Sequence, residues 1–129
     1  MTVRFRSTAR LVLLALLPLA AGCGDDPTGG PEPGAVVATL VSPDGQDGGV
    51  LIEVTGVGVT AVQAVEGEAL LNQDEGVARI AAVRGDAGEI RLVVSVEDVG
   101  TTPSGRVLQV VDARNRQRPL AGYSVRWER

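Results

Sequence analysis

The chain has no histidine and no lysine, a single cysteine, and three aromatic residues: Phe5, Tyr123 and Trp127. Each scarcity removes a class of chemistry. Without His, neither a Ser-His-Asp triad, a Cys-His pair nor a histidine-based metal site can be assembled. Without Lys, Schiff-base chemistry is closed. One Cys allows no internal disulfide. Neither GxxxxGK(S/T) nor GxGxxG occurs, and Gly56-Val57-Gly58 reads as a turn. An acidic chain of formal charge −4, without interleaved aromatic and basic residues, is a poor match for nucleic acid. Long apolar runs are also missing. The longest, Leu11 to Ala21, spans eleven residues. As a helix it would reach only about 16 Å, against a hydrocarbon core of about 30 Å.

That apolar run has a specific setting. Arg4, Arg6 and Arg10 precede it without an acid among them. Pro18 interrupts it, and small residues Ala20, Ala21 and Gly22 close it before Cys23. Positive charge, then a short apolar stretch, then small residues is the order of a secretory signal peptide. Residues 1–22 are therefore read as a leader.

The segment Leu19-Ala20-Ala21-Gly22-Cys23 resembles the lipobox of bacterial lipoproteins, with Leu19 one position further from the Cys than that family usually has it. The resemblance implies cleavage between Gly22 and Cys23. It also implies a lipid on Cys23, the first residue of the mature chain. A single acyl chain holds a protein weakly, and two or three make the anchor stable. Gly24, rather than Asp, comes after the Cys. By the enteric-type sorting rule this permits delivery to the outer membrane, a reading that Asp25 and Asp26 complicate. The expected location is the cell envelope, with the chain anchored on a periplasmic or surface-facing leaflet.

Residues 23–34 read as a tether. Gly24 to Gly34 holds four Gly, three Pro and three acids, with no apolar periodicity. Kept extended by its prolines, it would hold the rest of the chain roughly 20–35 Å from a bilayer.

Residues 35–129 form one domain, large enough for a single core. They contain 19 Val, whose branching at Cβ suits strands. Gly- and Asp-rich turns recur every eight to twelve residues, the spacing of an all-β sandwich or barrel. Strands are expected near 35–42, 50–56, 59–66, 68–72, 77–84, 89–97, 106–112 and 122–128. In Glu89–Glu97, Ile90, Leu92, Val94 and Val96 share one face. Tyr123, Val125 and Trp127 share one face of the last strand. Val107–Val111 is almost wholly apolar and reads as a central strand covered on both sides. Val62–Leu71 alone invites a helical reading, which Gly67 opposes.

The expected fold is a small antiparallel β-sandwich of about eight short strands. Its closing Gly122-Tyr123 strand after Pro/Gly punctuation is similar to cohesin-like jelly-roll sandwiches. An immunoglobulin-like arrangement also fits, although its Cys–Trp–Cys pattern is absent. Charge is uneven: residues 106–129 hold six Arg against two acids, whereas 23–105 hold three Arg against fourteen acids. Solvated strand faces account for this; a basic edge meeting an anionic partner is the sharper reading.

Three functional readings remain open. The first is a lipid-anchored, non-catalytic protein-interaction or structural module of the envelope. The second is a glycan- or small-ligand-binding module with Tyr123 and Trp127 as its platform. The third is a carboxylate-only hydrolase built on Glu66/Glu68, Asp74/Glu75 or Glu97/Asp98. The first is preferred, with no catalytic residue and no cofactor. Asp44 and Asp47, in Asp44-Gly45-Gln46-Asp47-Gly48-Gly49, offer oxygen ligands of the kind Ca²⁺ takes. They lack the alternation of an EF-hand loop, so a plain turn is the expectation.

Overall fold

The structure is a computed structural model that describes residues 29–129. The leader, the Gly22–Cys23 cleavage site, Cys23 and tether residues 24–28 lie outside the described residues.

Alternation decides the architecture. Eight strands form where β-branched and small apolar residues alternate with polar ones. They are β1 (Gly34–Val41), β2 (Asp47–Thr55), β3 (Val59–Ala64), β4 (Glu68–Asp74), β5 (Val77–Gly88), β6 (Arg91–Val96), β7 (Ser104–Val111) and β8 (Ser124–Glu128). All eight match expected strands, although β5 runs on to Gly88 and β2 starts earlier, at Asp47. They pair into two four-stranded antiparallel sheets, ordered β3-β6-β1-β8 and β4-β5-β2-β7. β1 pairs with β8, β2 with β7, β3 with β6 and β4 with β5. Such nested pairing arises when one long antiparallel hairpin is rolled over on itself.

Each sheet turns one apolar face inward. Val36, Ala38 and Leu40 of β1 meet Leu92, Val94 and Val96 of β6 in one layer. Val50, Ile52 and Val54 of β2, with Ala78, Ile80 and Ala82 of β5, form the other. Ile90, Leu92, Val94 and Val96 are all buried, as their spacing requires.

Val107–Val111 departs from expectation. β7 is an edge strand paired only with β2, not a central one. A bulge explains its continuous apolar run. The register steps from Leu51↔Gln109 to Ile52↔Val107, so Leu108 is the extra residue. Val107 and Val110 then both reach the core side, and only Val110 is fully buried.

Turns sort into two ends. The chain enters at Glu32, beside the 97–103 connection, together with the 56–58 and 75–76 turns and Arg129. The opposite end carries the 42–46, 65–67, 89–90 and 112–123 connections. Chain entry is pinned by Asp98. Its carboxylate accepts the Glu32 and Gly100 amides at 3.3 and 2.9 Å and the Thr101 hydroxyl at 2.9 Å. The Gly100 amide, then the Thr101 hydroxyl and the Glu32 amide, hold its pKa below the ordinary carboxylate value. At the far end Gly67 has φ of 87°, and a Cβ there would strike the Val83 carbonyl. This turn is what opposes a helix through Val62–Leu71.

Core and surface positions should respond very differently to truncation. Ile80→Ala should cost about 3 kcal/mol, lowering the urea midpoint. Leu70→Ala should stay within about 0.5 kcal/mol. Similar losses at both sites would contradict this division of the sheets.

Candidate functional site

Two features stand out: a polar cluster at the far end and an apolar outer face on one sheet. The cluster takes up several candidate residues. Asp47 opens β2 and is 1% exposed. Tyr123, just before β8 on the opposite sheet, donates its hydroxyl to Asp47 Oδ1 at 2.7 Å. Arg118, from the β7–β8 connection, brings its Nε to 3.6 Å from the same oxygen. That guanidinium also donates to Asp44 Oδ2 at 2.5 Å and to the Gln46 carbonyl at 3.1 Å. The buried carboxylate of Asp47 thereby gains one hydrogen bond from a neutral hydroxyl and one positive charge close by, the compensation a charge so placed requires.

Electrostatics reflect this packing. Burial raises the Tyr123 pKa, and the hydrogen bond to Asp47 raises it further. For Arg118, burial works against the charge. Tyr123, Asp44, Asp47 and Asp112 around it outweigh burial and raise its pKa. Asp112 accepts the Arg116 and Arg114 amides, each at 2.9 Å. The Arg116 amide is the largest cause of its lowered pKa. Asn115, with φ of 62°, shapes the same turn.

Asp44 and Asp47 thus meet around the Arg118 side chain rather than around an open space. Among the described residues, no three Asp, Glu, Cys or His side chains converge as a metal site. The remaining candidate carboxylates fall at both ends of the sandwich. Glu66 pairs with Arg84 at the far end. Asp74 and Glu75 sit at the β4–β5 turn, and Glu97 and Asp98 lie at the entry end. Trp127 and Tyr123 do share a face, and both are half-buried against the core. Gly105 of β7 makes room for the indole: a Cβ there would lie 3.1 Å from Trp127 Cζ2.

The second feature is the outer face of the β4-β5-β2-β7 sheet. Inside the pairs Asp74↔Val77 and Thr55↔Ser104 at the entry end, the register places three complete rows across it. The first is Asn72, Arg79, Glu53 and Arg106. There Arg106 and Arg79 share Glu53, at 2.8 and 3.5 Å. The middle row is Leu70, Ala81, Leu51 and Gln109; the third is Glu68, Val83, Gly49 and Val111. Leu70 is 75% exposed and Val83 is 60% exposed. Two hollows, of about 510 and about 190 Å³, flank the Leu51–Ala81 pair on this face. Small residues at positions 49 and 81 create them. The outer face of the other sheet instead presents Gln63, Ser95, Arg91 and Arg126 among its alternating positions.

Sequence reasoning missed this face. Leu70-Leu71 and Val83 were legible as strand residues, but only the strand order puts them in adjoining rows. The chain matches no family model, no curated protein and no solved structure.

The far-end cluster carries its own prediction. Tyr123→Phe should strip Asp47 of a hydrogen bond in the interior and cost about 1–3 kcal/mol in urea unfolding. Tyr123 is the sole tyrosine, so its phenolate absorbance reports this site alone. A raised folded pKa means its stabilising effect is complete below the unfolded phenol's pKa, about 10. That effect is lost as pH rises through the folded value. The folded chain should therefore form phenolate at higher pH than the urea-unfolded chain. Coincident titrations would contradict the buried bond.

Proposed function

We propose that this chain is a lipid-anchored module of the cell envelope that binds a protein partner through the outer face of its β4-β5-β2-β7 sheet. The observation that carries the reading is that face: Leu70 and Val83 exposed beside two apolar hollows. Exposed apolar side chains rimmed by polar ones, here Glu68, Asn72 and Gln109, are a feature of protein interaction sites. The reading is non-catalytic. It rests on the absence of His and Lys and on the engagement of Asp98 by backbone amides and of Glu66 by Arg84. A protein partner is favoured over a glycan because Tyr123 and Trp127 pack against the core. The nested strand pairing supports kinship with cohesin-like jelly-roll sandwiches over immunoglobulin-like ones.

Anchoring comes from Cys23 in this reading. The tether would join the sandwich at Glu32, at the end opposite the 112–123 connection. The apolar face, running between those ends, stays open to the side. Cys23→Ser should move the chain from the membrane fraction to the soluble fraction. Persistence in membranes after that change would contradict lipid anchoring.

Binding is tested by capture from solubilised envelope at moderate salt, with the full chain as bait. The unaltered chain should retain a discrete protein that Leu70→Asp with Val83→Asp does not. Equal retention by both baits would contradict the docking face. Retention of cell-wall glycan alone would replace the reading with the carbohydrate one.

A further inference from the structure

Four strand edges bound the two sheets, and they are not equally guarded. β3 and β7 carry register shifts against their neighbours; such bulges twist an edge away from an incoming strand. β8 is five residues long and shows Arg126 and Glu128 on its exposed side. β4 differs. It is seven residues long, pairs with β5 without a register shift, has no Pro, Lys or Arg, and carries charge only at its ends, as the acids Glu68 and Asp74. Among the described residues its other edge pairs with no strand. Leu70 at its centre is the most exposed of the large apolar side chains. Gln73 donates its side-chain amide to the Val59 carbonyl at 2.5 Å, so β4 is held in place against β3.

We infer that this edge accepts an extended, basic segment of the partner protein, which adds antiparallel to β4 as a fifth strand of the sheet. The inference rests on the docking face proposed above, whose middle row begins at Leu70. An added strand would lengthen that row. The partner residue opposite Leu70 would be apolar, and its side chain would continue the line Leu70, Ala81, Leu51. The main chain would satisfy the unpaired amides and carbonyls, which is how strand addition gains affinity.

Charge selects the occupant. Glu68 and Asp74 stand at the two ends of β4 and point to the same side as Leu70. A second copy of this chain is disfavoured by them. Antiparallel self-pairing centred on Leu71 sets Glu68 opposite Asp74; centred on Leu70, it sets Glu66 opposite Asp74. Like charges directly across strands are destabilising. The same acids favour a strand with basic residues opposite them. Counting along β4 gives a template of a basic residue opposite Asp74, an apolar one opposite Leu70 and a basic one opposite Glu68.

The probe is a capped seven-residue peptide, RTTVVTR, which matches that template in antiparallel register; ETTVVTE is its control. With the full chain, RTTVVTR should bind in a salt-sensitive way and slow amide exchange in β4 while leaving β3, β7 and β8 unchanged. Glu68→Arg should weaken it about tenfold, since it turns an attractive cross-strand pair into a repulsive one. Asp74→Arg should weaken it similarly and guards against a fault peculiar to one variant. Equal binding of the two peptides, or protection at another edge, would overturn the inference. So would sedimentation showing the chain alone as a dimer with β4 protected, which assigns the edge to a second copy. Suppose β4 stays unprotected by the peptide while Leu70→Asp with Val83→Asp still abolishes envelope capture. The docking face then stands and the added strand does not.

Discussion

A shortage of large side chains governs this molecule. With two aromatics in the domain, the interior must be filled by valine, isoleucine, leucine and alanine. Such residues bury little area each, about 0.8 kcal/mol per methylene. Many of them must therefore be stacked in register. Two twisted sheets facing each other do this, because every second residue of eight strands reaches one thin layer. Val94, Val110, Val54 and Ile80 are wholly buried for that reason. Thin layers leave no room for a deep pocket, which is why the proposed binding is assigned to a face and an edge.

The two ends of the sandwich are closed in different ways. At the entry end Asp98 ties the incoming chain by backbone amides. At the far end Asp47, Tyr123 and Arg118 bind the sheets together through side chains. The second device is the costlier, since it places a carboxylate in the interior. In return it fixes where β2 starts and where β8 begins relative to it. The outer rows of the β4-β5-β2-β7 sheet inherit that alignment, because β2 is one of their two central strands.

Much of the fold was legible in the residues. Strong alternation in Glu89–Glu97 and Ser124–Glu128 announced strands, and Gly-rich turns announced their ends. What alternation does not encode is lateral order. Val107–Val111 looked central because it is apolar throughout, yet its continuity reflects a bulge at Leu108 on an edge. Partnerships across the sheets were equally hidden. Tyr123 meets Asp47 from 76 residues away, and Arg118 meets Asp44 from 74. Tyr123 and Trp127 do share one face, whereas Asp47, read as part of a turn with Asp44, is the buried first residue of β2. Their company was not foreseeable. Neither was the apolar outer face, whose members sit on different strands and become neighbours only through the register.

On the proposed reading, one outer face is occupied in the envelope and the other is free. Site-specific thiol labelling tests it directly, because the chain's single native cysteine is the proposed lipid site. Val83→Cys lies on the β4-β5-β2-β7 face and Gln63→Cys on the opposite sheet. Intact envelopes should shield Val83→Cys from a hydrophilic maleimide, solubilisation and purification should expose it, and Gln63→Cys should react in both settings. Equal reactivity of Val83→Cys before and after purification would contradict it.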